Sequence, residues 1–139
     1  MLEIKNLVKR IAELKKDVVF VGGLSLVHHN IKETTKDIDM VILNLDGLDE
    51  FGPFEVYNLP PEISTTRRRA KVYVDNILID VIIDEKLPDY VEHEGVKYQT
   101  LDSMMKFYED HLPRLKVEYR NKPQASYDLI KEKLNKRNS

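Results

Sequence analysis

An α/β fold, with a mixed β-sheet of about five strands flanked by helices, is what three observations in this sequence predict. Short β-branched runs such as "VVFV" and "DIDMVIL" are interleaved with segments whose apolar residues recur at helical spacing. Gly, Pro, Asn and Asp punctuate the joins between them. The chain, at 139 residues with 42% hydrophobic content, is long enough for one core and too short for two ordinary domains. The expectation is a single domain over 1–139, with C-terminal helices from about residue 100.

Each element has its own signal. Ile4, Leu7, Val8, Ile11 and Leu14 repeat at helical spacing with Lys5, Lys9, Arg10, Glu13 and Lys16 between them, which predicts an amphipathic helix ending near Lys16. "VVFV" is a buried strand that ends in a tight turn at Gly22 and Gly23, and "LSLVHHN" begins a second helix. "IKETTK" is a polar connection to the second buried strand, "DIDMVIL". "FEVYNL" is a short edge strand, and "AKVYVDNILIDVII" is a hairpin turning at Asp75 and Asn76, where Asn tolerates positive φ. "YVEHEGVKYQT" is another hairpin, turning at Glu94 and Gly95. Thr100 can N-cap a helix with Leu101, Met104, Met105, Tyr108 and Leu112 on its apolar face; a last helix, roughly 124–136, presents Tyr127, Ile130 and Leu134.

Composition excludes several functions. No Cys occurs, so disulfides and thiolate metal sites are ruled out, and any metal must sit on oxygen or imidazole. The N-terminal stretch is interrupted by charge every few residues, with neither a signal-peptide block nor a membrane-spanning run. A soluble, cytoplasmic protein with no membrane partner is expected. Net charge is −2, yet residues 114–139 carry 8 basic against 3 acidic residues. Such a tail suits a phosphate-bearing substrate; a solvated helix face is its plainer reading.

The chemistry lies in the carboxylates. On a strand, residues two apart share a face, so Asp37 and Asp39 point together, with Cα atoms about 6.6 Å apart at ~3.3 Å rise per residue. Asp80 stands in "ILIDVII", apolar for three residues on either side, where an unpaired carboxylate is several kcal/mol uphill. A divalent cation removes that penalty, and clustered carboxylates are the hard oxygen ligands that Mg²⁺ accepts. Taken singly, Asp37 reads as a cap, Asp39 as an exposed strand end and Asp80 as part of a solvated sheet face. The joint reading is favoured by the upstream glycines, because bare backbone followed by a helix N-terminus is where phosphates are held, with Ser25 adding a hydroxyl.

"VGG", thirteen residues and then "DIDMV" resemble the signature of the polymerase-β-like nucleotidyltransferase superfamily, in which a third carboxylate lies on a later strand, as Asp80 does in "LIDVI". "VKYQTLDSMMKFYEDH" looks like that family's strand and helix with an inward lysine, here Lys106, and "RNKPQASYDLIKEKL" like its closing helix with Asp128. The order is similar to small toxin-type and orphan members, AbiEii-like abortive-infection toxins among them. Members with this closing helix often carry Lys-Asp where Gln124 and Ala125 stand, and the Arg-Asp of tRNA CCA-adding enzymes is replaced by Leu26 and Val27, which argues against that role.

The resemblance implies a nucleotidyltransferase fold and transfer of a nucleoside monophosphate from an NTP, such as ATP, to a hydroxyl of an RNA end or a protein side chain, in a toxin–antitoxin or phage-defence setting with a cognate toxin or antitoxin as partner. It implies that Asp37, Asp39 and Asp80 hold Mg²⁺ or Mn²⁺ and act as the catalytic carboxylates, that Gly22, Gly23, Ser25 and Lys106 bind the nucleotide, and that two metal ions stabilise the attacking and leaving oxygens. The alternative is a non-catalytic module of the same fold, an antitoxin or accessory subunit.

Other residues carry weaker signals. Lys36, Thr34 and Thr35 precede the aspartates, where phosphate or a recipient hydroxyl could pass; a polar loop is the plainer reading. Arg67, Arg68 and Arg69 form the densest positive cluster, able to grip a polyanionic acceptor or merely to protect a sheet edge. His28 and His29, being adjacent, do not share a helix face, so either one lines the nucleotide site or the two are a surface pair with one ring packed.

Overall fold

The computed structural model describes residues 1–137. They form two compact units, Met1–Gln99 and the chain from Thr100 onward. In chain order the first unit contains α1 (Leu2–Leu14), β1 (Val18–Val21), α2 (Gly22–His28), β2 (Ile38–Ile42), β3 (Glu55–Asn58), β4 (Arg68–Val74), β5 (Ile77–Ile83), β6 (Tyr90–His93) and β7 (Val96–Gln99). The second contains α3 (Leu101–His111), two short 3₁₀ turns and α4 (Asn121–Arg137).

Among the described residues the strands make one mixed sheet in the order β3-β4-β5-β2-β1-β7-β6. Strand β2 runs antiparallel to β1 and parallel to β5, and β1 runs parallel to β7. The sheet has seven strands where about five were expected. Each of the seven lies in a run that the sequence marks as strand, the exposed edges β3 in "FEVYNL" and β6 in "YVEHEGVKYQT" included, so the count of about five is short although the individual segments are in place.

One face of the sheet carries the main core of this unit. Phe20, Ile38, Met40, Ile42, Ile79, Val81 and Ala70 cluster with Ile4, Val8, Ile11 and Ala12 of α1. At about 25 cal/mol per Å², burial of such side chains is worth roughly 1.5–3 kcal/mol each, so α1 is held by packing rather than by its caps. Met1, its N-cap, makes no side-chain capping bond. Just past its end, Lys15 is buried and its Nζ donates to Asn44 Oδ1 (3.1 Å) and Asp46 O (2.9 Å), pinning the loop after β2. The opposite face carries a smaller cluster, Val19, Val21 and Val41, with Ile82 and Leu87 packed on it.

Both hairpin turns lie where the sequence puts them. Asp75 and Asn76 have φ of 49° and 69°, and Glu94 and Gly95 have 50° and 79°, the double left-handed geometry that matches strand twist. Helix α2 starts on Gly22 itself and ends with Asn30 at φ 62°, where the Ile31 and Asn30 N–H groups return to the Leu26 and Val27 carbonyls.

In the second unit, Thr100 caps α3, its Oγ1 accepting from the Ser103 N–H at 3.1 Å. Leu101, Met104 and Ile130 are buried. Helix α4 begins three residues earlier than expected because Pro123, in the first turn, gives up an N–H that has no helical acceptor there. Tyr127 Oη donates to Glu109 Oε1 at 3.3 Å, joining α4 to α3. Among the described residues, no helix is long and apolar enough to cross a membrane.

Candidate functional site

Parallel pairing of β2 with β5 sets Asp39 directly beside Asp80, while on the other side of β2 Val21 is the partner of Asp39. Registered partners present their side chains to the same face, so the two carboxylates share the face that carries Val19, Val21 and Val41. Asp37 is exposed on the chain just before β2.

The glycine turn closes on Asp39. Gly22 has φ +58°, and a Cβ there would lie 2.6 Å from Asp39 Oδ2 and 3.1 Å from its Cγ. A Cβ on Gly23 would lie 2.3 Å from Thr35 Oγ1. Both positions therefore need glycine, Gly22 for its dihedral as well as for space. The Gly23 N–H donates to the Asp39 carboxylate, and Thr35 Oγ1 donates to Asp37 O at 3.3 Å. Burial, then the charges of Asp80 and Asp37, push the Asp39 carboxyl up to about 6, while Arg69 and the Gly23 bond pull the other way.

Arg69 is the residue that the motif reading placed elsewhere. Its Nη2 lies 2.5 Å from Asp80 Oδ2. Burial works to lower the Arg69 pKa but is outweighed by the hydrogen bond and charge of Asp80, so the guanidinium is held charged. Lys71, which faces Asp80 in register, is instead near Glu55, with Nζ to Oε2 at 3.9 Å. The three consecutive arginines do not make one grip. Arg67 Nε donates to Asp84 Oδ2 at 2.9 Å, Arg69 pairs with Asp80, and the exposed Arg68 takes the opposite face by strand alternation. The cluster divides because a strand separates neighbours that the sequence sets side by side.

Ser25 is fully buried, and its Oγ donates to Gln99 O at 2.7 Å, so in this structure its hydroxyl ties α2 to β7 rather than standing at the glycine turn. His29 Nε2 lies 2.9 Å from the same carbonyl oxygen. His28 stacks on Tyr98 at 4.2 Å with rings 2° from parallel, with His93 5.7 Å away, and burial lowers its pKa. One ring of the His28–His29 pair is thus packed on the sheet. Lys36 is exposed in the loop before β2, Lys106 is exposed on α3, and Asp128 on α4 accepts from Gln124 Nε2 at 3.0 Å.

The donor set fits a divalent cation through two carboxylates. Asp80 Oδ1 is buried and has no hydrogen-bond partner, and the ionisation of Asp39 is opposed by burial and then by Asp80 and Asp37, so a cation beside these two carboxylates would be favoured. Among the described residues, no group of three His, Asp or Glu side chains is arranged as a ready ligand set. One oxygen of Asp80 is engaged by Arg69.

Fold and site together define an α/β protein in which two acidic residues are aligned on neighbouring strands and one of them, Asp39, meets a glycine turn. No protein family, curated protein or solved structure matches the chain.

Proposed function

We propose that this protein is a metal-dependent nucleotidyltransferase of the polymerase-β-like fold, moving a nucleoside monophosphate from an NTP to a hydroxyl acceptor. The observation that carries the reading is the registered Asp39–Asp80 pair, set against a turn where Gly22 leaves room for the Asp39 carboxylate and Gly23 donates to it. Asp39 and Asp80, with Asp37 alongside, are the residues to hold Mg²⁺ or Mn²⁺. The bound cation supplies charge compensation for the phosphates and polarisation of the transferred phosphoryl group.

The remaining work falls to the chain itself. The Gly22–Gly23 turn holds Asp39 in place, and its bare backbone allows phosphate oxygens a close approach. Asp80 takes the proton of the acceptor hydroxyl at Oδ2, the oxygen that Arg69 holds in this structure. The acceptor oxygen forms its bond to the α-phosphorus as the bond to the bridging oxygen breaks, and pyrophosphate leaves with that electron pair.

A second reading, a nucleotide-binding module without chemistry, is favoured by one observation: Arg69 pairs with Asp80 and offsets its charge. Incubating the protein with each labelled NTP, Mg²⁺ or Mn²⁺, and mixed cellular RNA and protein separates the two. Label on RNA or on protein supports transfer and identifies the acceptor class. NTP binding without transfer favours the module, and neither binding nor transfer overturns both readings.

A further inference from the structure

The Arg69–Asp80 pair is only half made. A guanidinium and a carboxylate usually close as a fork, two parallel N–H···O bonds that satisfy both groups. Here Nη2 reaches Oδ2, while Arg69 Nε and Asp80 Oδ1 remain buried without partners. Leaving a buried donor and acceptor unpaired costs each of them its lost hydration, so the contact stores an opening for something better. The nearby Lys71 does not fill it, being turned toward Glu55.

Resting on the nucleotidyl-transfer reading, we infer that Arg69 is a latch: it holds Asp80 while the site is empty and passes to a phosphate oxygen when a metal–polyphosphate complex enters as a unit. The two orphaned atoms specify that ligand. Asp80 Oδ1 calls for a cation, and Arg69 Nε calls for an anionic acceptor oxygen. A metal-complexed triphosphate carries both at adjacent positions. A bare metal ion satisfies Oδ1 alone and meets the repulsion of the guanidinium, and a bare phosphate satisfies Nε alone and meets the repulsion of Asp39 and Asp80. The exchange also frees Asp80 Oδ2, so the proton acceptor becomes available only when the ligand is in place.

The latch predicts effects of opposite sign from one substitution. Binding of Mn²⁺ alone and of Mn²⁺–tripolyphosphate, which needs no choice of base, is measured by calorimetry on wild type, Arg69→Gln and the control Lys71→Gln, with thermal melting to check folding. Arg69→Gln should bind Mn²⁺ alone about fivefold more tightly and Mn²⁺–tripolyphosphate about tenfold more weakly, while Lys71→Gln changes neither beyond about twofold. Arg69→Lys, which keeps the charge without the fork, should show the weaker polyphosphate binding and serves if Arg69→Gln fails to fold. A purely structural arginine would move both affinities in the same direction, or neither, and either result overturns the latch while leaving the transferase reading in place. Wild type that binds no Mn²⁺–tripolyphosphate overturns the latch and the metal-dependent reading together.

Discussion

Burial, Asp80 and Asp37 hold the Asp39 carboxyl at about 6 against an ordinary 3.8, so in that interval the folded chain binds more protons than the unfolded one. Stability contributed at this residue is therefore present at low pH, falls as pH rises from about 4 to about 6, and stays reduced above that. Asp39→Asn, neutral and nearly isosteric, should be more stable than wild type at pH 7 by on the order of 2–3 kcal/mol in the presence of a chelator. The gap should shrink toward zero near pH 4. Urea denaturation across that range checks it, and a gap independent of pH would assign the cost to something other than ionisation. Asp80 predicts a kinetic effect instead. If it takes the acceptor proton as well as holding the cation, Asp80→Asn should slow transfer at saturating Mn²⁺–NTP by roughly 10²–10⁴, well beyond the loss in Mn²⁺–NTP affinity, because the proton transfer belongs to the transition state. Equal losses in affinity and rate would count against that role.

At the scale of elements, the site is a junction of the β1–α2 turn with strands β2 and β5. Gly22 is in the left-handed region, where any other L-residue costs roughly 1–2 kcal/mol, and its missing Cβ leaves the space that the Asp39 carboxylate fills. Gly22→Ala should therefore destabilise in two ways, through its dihedral and through displacement of Asp39. Only the second is relieved by removing the carboxylate. In a double-mutant cycle with Asp39→Ala, the cost of Gly22→Ala should fall by about 1 kcal/mol, and strict additivity would mean that the turn does not press on Asp39. The β4–β5 hairpin acts differently. Its two-residue turn fixes which residues oppose each other, and Arg69 reaches Asp80 diagonally while the directly opposed Lys71 goes to Glu55.

For the whole molecule, clustered carboxylates impose a linkage between cation and stability. A cation that binds the folded state alone stabilises it by mass action, about 2.7 kcal/mol at a concentration one hundred times Kd. Mg²⁺ or Mn²⁺ should raise the unfolding temperature of wild type and raise that of Asp39→Ala by less. An equal rise in both would place the bound ion elsewhere. The same comparison at pH 5 should show a smaller effect for wild type, since Asp39 must give up its proton before it can hold a cation.

Much of this was open to reading from the sequence alone, where the signal is local. The β-branched runs, the helical spacing of Ile4, Val8 and Ile11, the turns at Asp75–Asn76 and Glu94–Gly95, and the Thr100 cap depend on backbone preferences within a few residues. Even the approach of Arg69 to Asp80 was implicit in the hairpin, because a two-residue turn dictates register. The exposed edge strands have no burial pattern, and it is the β-prone residues and adjoining turns that mark "FEVYNL" and "YVEHEGVKYQT". Three features were decided by tertiary structure. The parallel pairing of β2 with β5 brings Asp39 beside Asp80 across a separation of forty-one residues, which no local rule sets. The contact with Asp84 draws Arg67 away from its neighbours, and the docking of α2 on β7 turns Ser25 inward to the Gln99 carbonyl. Residue types and turns follow from the chain's own covalent and steric limits, whereas the meeting of Asp39 with Asp80 depends on strands that find each other only when the core closes.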